Sequence, residues 1–119
     1  MRAMQCAIVI FVIIATSACD KSLREDSCDF IINGSERIGR EEFSYINNMK
    51  IQEKLNLKVA ECGGAAKYKY RLENLYFSGI GIDDNERHYM LYYLGQTTDV
   101  RKIIVFDNHD NVVRSGFLK

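Results

Sequence analysis

Residues 58–72, KVAECGGAAKYKYRL, hold the change of rhythm on which the fold turns. Up to Cys62 the apolar residues keep a helical beat. Ile51, Leu55, Val59 and Cys62 fall at spacings of four, four and three, one stripe on a helix that starts near Lys50. Gly63 and Gly64 then supply the left-handed stop that such a helix needs. Beyond them the beat becomes two: Lys67, Lys69 and Arg71 alternate with Tyr68, Tyr70 and Leu72, which predicts a half-buried strand. A helix giving way to a run of strands predicts an α+β domain.

Downstream, NLYFSGIGI continues the sheet, with Gly79 and Gly81 marking a bulge or bend. The turn signals DDNE, QTTD and DNHDN separate RHYMLYYLG, VRKIIVF and VVRSGFL, so the strands follow one another as an antiparallel meander. Upstream, GREEFSYI predicts a short helix with Glu41 and Glu42 in its first turn, and CDFIINGSERIG reads as extended or irregular. The predicted architecture is two helices packed on one face of a three- to five-stranded antiparallel meander sheet, over residues 38–119.

The other end of the chain carries a different message. CAIVIFVIIA, Cys6 to Ala15, is uncharged and follows Arg2. Ten apolar residues rise only about 15 Å as a helix, half of a bilayer's hydrocarbon core. A basic start, a short apolar centre and small residues before a cut predict a secretory signal peptide over residues 1–18. The closing TSAC resembles the lipobox of bacterial lipoproteins. Carried over, Ser17 and Ala18 precede the cut and Cys19 receives the acyl chains, labelled in cells by palmitate. Thr16 departs from the commoner leucine, so ordinary cleavage after Ala18 stands as the alternative. Several acyl chains on one cysteine give the stable membrane anchoring that a single chain does not. Residues 19–37 are then the lipidated cysteine and a tether. Asp20 resembles the inner-membrane retention signal of enteric lipoproteins, with the outer membrane as the other destination. Either way the domain faces the periplasm of a cell envelope.

The chain balances 16 basic against 16 acidic residues. No basic field invites nucleic acid, and no acidic field steers a cationic partner. With Cys6 in the signal and Cys19 under lipid, Cys28 and Cys62 remain. In an oxidising compartment they predict one disulfide, two buried free thiols being the alternative.

The order lipobox, tether, short helix, longer helix ending in Cys-Gly, then meander resembles the small SmpA/OmlA (BamE-like) envelope lipoproteins; related architecture occurs in proteinaceous β-lactamase inhibitors. The resemblance is carried by VAECGG, residues 59–64, and VFDNHDNVV, residues 105–113, and spans Gly39 to Leu118. Two departures stand out. Ala65 or Ala66 occupies the place of a proline after the helix, and Asn48 and Met49 replace a Gly-Met start. The resemblance implies a non-catalytic accessory of outer-membrane assembly.

No residue set predicts catalysis or a cofactor. His88 and His109 fall short of a zinc site's three or four ligands, with both remaining cysteines paired. DNHDNV lacks the glycine and the distal glutamate of a calcium loop and reads as a hairpin turn. Serines, histidines and aspartates lie in no nucleophile-elbow spacing. Tyrosines are the more suggestive feature. Tyr68, Tyr70, Tyr76, Tyr89, Tyr92 and Tyr93 all fall in predicted strands, Tyr92 and Tyr93 on opposite faces, and one face of a two-layer domain stays partly open, with Tyr68, Tyr70, Tyr92 and Tyr93 as the candidate partner-binding residues. Tyrosine offers large contact area at low entropic cost, although it is also simply a good strand former. The expected function is a non-catalytic envelope lipoprotein acting by protein–protein contact, through the open sheet face or the last strand's edge. The alternative is a periplasmic inhibitor or immunity protein that blocks a hydrolase or toxin; an aromatic small-ligand site is a minor third reading.

Overall fold

A computed structural model describes residues 27–64, 66–95 and 100–119. The fold is α+β, with three helices on one side of a six-stranded sheet that is mixed and curled. It is larger than the expected meander, and not wholly antiparallel.

Helix α1 covers residues 27–33, within the expected tether. Cys28, Ile31 and Ile32 recur at helical spacing and are buried, so the segment folds onto the domain because one face of it is apolar. Strand β1 (Glu36–Ile38) follows, then a 3-10 turn (Arg40–Glu42) and β2 (Ser44–Ile46), where a short helix is the sequence's prediction. Helix α2 (Met49–Ala60) opens on Asn48, whose side chain accepts the Ile51 N–H at 3.2 Å. It buries Leu55 and Val59, as the apolar stripe predicts.

The glycine pair does not end the helical region. A 3-10 turn (Glu61–Gly64) swings the chain into a further helix, α3 (Ala66–Glu73), through the expected KYKYRL strand. The alternation of that stretch is compatible with both periods, because Tyr68 and Leu72 also stand four apart. Lys, Arg, Leu and Ala are good helix formers and settle the matter locally. Tyr68 is 4% exposed and Tyr70 75%, a separation that one strand face cannot produce.

Four long strands follow where the sequence predicts them: β3 (Leu75–Ile82), β4 (His88–Leu94), β5 (Arg101–Phe106) and β6 (Val112–Leu118). They form the antiparallel meander, with a register shift between Phe77 and Gly79 in the region expected to bulge. The two short strands extend it at both ends, giving the order β1-β6-β5-β4-β3-β2, with β1 parallel to β6. The edge of the last strand is therefore occupied at Gly116–Leu118.

That order forces the curl. Strands β1 and β2 are sequence neighbours at opposite edges, joined by residues 39–43 alone. A link of that length reaches at most about 20 Å, and a flat six-stranded sheet spans about 24 Å between edges. The sheet bends around the link, and the link covers its helix-free face. Phe43 stacks on Tyr89, ring centroids 4.8 Å apart. Tyr89, Leu91, Ile103 and Val105 are fully buried with Phe43 and Ile38 in a second core. The expectation of an open central sheet face fails here. Arg114 ties the curl by donating to Glu36 of β1 at 2.7 Å and to Glu42 of the link at 2.8 Å.

The main core lies between sheet and helices, around Leu55, Val59, Met90, Tyr92, Ile104 and Phe106. The sulfurs of Cys28 and Cys62 lie at disulfide distance within it, Cα atoms 5.6 Å apart, which joins α1 to the turn after α2.

Candidate functional site

Tyr68 and Tyr70, expected to share an open face with Tyr92 or Tyr93, do not share one. Tyr68, in α3, is buried and its hydroxyl donates to Asp29 of α1. Tyr70 stands free on the outer side of the same helix. Tyr92 faces the helices, and its hydroxyl donates to Asn56 of α2 at 2.6 Å. Burial pushes the Tyr92 phenol well above its ordinary range. Only Tyr93 lies on the helix-free face, opposite to Tyr92 as strand alternation demands.

A different aromatic set gathers around Tyr93. Tyr76 of β3 pairs directly with Tyr93, which pairs in turn with Arg101 of β5. One row therefore crosses three strands. Tyr45 of β2 pairs with Gly81, itself opposite Tyr89, so it projects from this same face. Its ring would be 3.4 Å from a Cβ at Gly79, and the glycine is the flat floor over which that ring lies. Phe43 supports it edge-on at 5.5 Å.

Tyr45 and Tyr76 are 54% and 53% exposed, and Tyr93 is half-buried. The Arg101 guanidinium carbon lies 5.0 Å from the Tyr93 ring centroid. Hydrogen bonding to Ser78, and then the charge and hydrogen bond of Arg101, hold the Tyr93 phenol below its ordinary value. Arg101 has no carboxylate partner among the described residues, and its Nε is buried without an acceptor. The covered centre of the face thus gives way, at one end, to an aromatic patch beside Arg101, whose guanidinium donates to the Tyr93 hydroxyl and has no carboxylate partner among the described residues. Sequence reasoning missed Tyr45 because β2 read as helix. Tyr76 is among the strand tyrosines read from the sequence but stands outside the candidate binding set, because strand alternation across a bulge does not fix its face.

Other candidates are placed differently. His88 lies on β4 toward the helices, and burial holds its pKa down. His109 lies in the β5–β6 turn, where Asp107 Oδ1 accepts the backbone N–H groups of His109 and Asn111 at 2.8 and 3.0 Å. Among the described residues no group of three or more His, Cys, Asp or Glu is arranged to hold a metal ion. A cavity of about 330 Å³ opens between α1, the end of α2 and the β5–β6 turn, floored by Cys28, Cys62, Ile31 and Phe106. Its rim mixes Lys58 with Glu61 and Asp110, the last already paired with Lys54 at 2.8 Å. Cys19, the expected lipidation site, lies outside the described residues, as do Asp20 and the signal segment. No described helix is long and apolar enough to cross a membrane.

Comparison with family models, curated proteins and solved structures returned no match.

Proposed function

We propose that this protein is a non-catalytic lipoprotein of the bacterial cell envelope that works by holding another envelope protein against the helix-free end of its sheet. The carrying observation is the patch of Tyr45, Tyr76 and Tyr93 beside Arg101, which has no carboxylate partner among the described residues. Tyrosine and arginine are the residues that most often anchor interfaces. The rest of that face is closed by Phe43 and the β1–β2 link, so the patch sits on a rigid support and loses little freedom on binding. Lipid on Cys19 would confine the domain to a membrane face, leaving contact as its remaining task. The SmpA/OmlA resemblance agrees with such an accessory role.

The test is site-specific photo-crosslinking in native membranes from positions 45 and 76, with position 70 as an exposed tyrosine outside the patch. A partner captured from 45 and 76 and not from 70 supports the reading. Capture from 70 alone overturns it. Tyr76→Ser should weaken a patch-dependent complex by about thirtyfold, the roughly 2 kcal/mol of an anchoring tyrosine.

A further inference from the structure

Strand β3 runs from Leu75 to Ile82, yet β2 pairs with it only from Ile80 to Ile82. Register would set Asn47 opposite Gly79, but the chain turns away there because Asn48 caps α2. Among the described residues no strand covers the outer edge of β3 between Leu75 and Gly79. Alternate backbone groups of that edge point away from β4, with no strand among the described residues to receive them. Folded proteins usually guard such edges with charge or proline. LYFSGIGI contains neither.

We infer that the edge of β3 from Leu75 to Gly79 receives an extended, carboxylate-bearing segment of a partner protein as an added strand. Backbone groups in a row are matched by another extended backbone, which supplies donors and acceptors at the same repeat. The size of the gap decides between a segment and a second folded copy. Residues 75–79 make an edge about 17 Å long and one sheet, about 10 Å, thick. That is roughly 170 Å² per partner, against the 800 Å² or so by which two folded domains hold each other. A flexible segment can add its side chains to the neighbouring patch; a second domain edge cannot follow them.

The carboxylate follows from Arg101. Its guanidinium lies over Tyr93, one strand nearer to the open edge than its own backbone, in the row that ends at exposed Tyr76. A side chain of the added strand that crosses Tyr76 on this face approaches the guanidinium, which has no carboxylate partner among the described residues. Asp or Glu provides one.

This inference rests on the contact reading above, and its test separates the two. Random peptides displayed on phage are selected against the full-length protein in detergent micelles. The selected peptides should be rich in Asp or Glu and should slow hydrogen exchange at the outward-facing amides of residues 75–79. N-methylation of alternate peptide amides, which removes donors while leaving the protein intact, should weaken binding about tenfold at each bonded position. Arg101→Gln should weaken acidic peptides about tenfold; if that variant melts early, the N-methyl series on the unaltered protein still decides. Peptides that bind without slowing exchange at 75–79, or that tolerate N-methylation throughout, overturn strand addition. So does a selection that yields no binder while crosslinks from positions 45 and 76 persist. In both cases the tyrosine-patch reading survives on its own crosslinking result.

Discussion

Lys102, 3% exposed near the start of β5, donates from Nζ to the carbonyl of Gly34 at 2.8 Å. It is one of three side chains that gather the terminal carbonyls at the end of α1. Ser115 Oγ donates to the Ile31 carbonyl at 2.9 Å, and Arg71 reaches the Ile32 carbonyl at 3.4 Å. Two cations at a helix C-terminus complement its dipole. Lys102 bears the cost of burial, and its ammonium also lies 4.8 Å from the Phe117 ring centre.

A pH dependence follows. Desolvation, helped by the charge of Arg71, lowers the Lys102 pKa from 10.5 to about 8. Between those values the unfolded chain holds a proton that the folded chain has released. Raising the pH through this window therefore favours the folded state. The tyrosines whose pKa is raised by burial, Tyr89 and Tyr92, act oppositely above their ordinary value of 10.0. Denaturation of wild type and Lys102→Met at pH 7 and pH 9.5 isolates the lysine (about 2.5 pH units bracket the lower pKa). The stability of wild type relative to the variant should rise with pH; a flat or falling difference refutes the assignment.

Gly116 sets the contact that turns the meander into a curled sheet. A Cβ there would lie 1.8 Å from the Glu36 carbonyl oxygen on the neighbouring β1. Gly116→Ala should cost about 1–3 kcal/mol, the usual penalty of overpacking. It should also speed hydrogen exchange at residues 36–38 more than in the β4–β5 pair. Equal effects on both pairs would mean that β1 is not the part displaced.

Tyr92, buried on β4, and Tyr70, exposed on α3, make opposite forecasts. Tyr92→Phe removes the bond to Asn56 and leaves a part-buried acceptor, at about 1 kcal/mol. Tyr70→Ser removes an exposed ring and should change stability by less than about 0.5 kcal/mol. Urea melts of the two variants measure both.

Protein taken from the periplasm should carry the Cys28–Cys62 bond. Alkylation should modify neither residue until reductant is added. The bond closes a sequence separation of 34, and its loss in the double alanine variant should cost about 2–4 kcal/mol. Thiols that react before reduction would contradict the pairing.

Cys19→Ser should abolish incorporation of labelled palmitate and release the protein from the membrane fraction. A variant that still labels and still sediments with membrane removes the lipid anchor from the proposed function.

The sequence by itself determined what is local. The stripe of Ile51, Leu55 and Val59 specifies α2, because a helix repeats its face every three to four residues. Strands β4, β5 and β6 are legible from β-rich runs cut by turn residues, and Asp107 organises its own turn. From the sequence, a Cys28–Cys62 bond is the expectation, with two free thiols as its alternative, and the two sulfurs lie at disulfide distance. Tertiary structure decided the rest. KYKYRL satisfies both periods, and packing of Tyr68 against Asp29 and the helix side of the sheet selects the helix. Segments as short as Glu36–Ile38 and Ser44–Ile46 carry too few residues for any period to show, and each exists only because a long strand offers its edge. Their placement at opposite edges, joined by a link too short for a flat sheet, bends the sheet and buries Tyr89. The same distant choices brought Tyr45 to the face that carries Tyr76 and left residues 75–79 of β3 without an outer strand among the described residues, because β2 ends where Asn48 starts a helix.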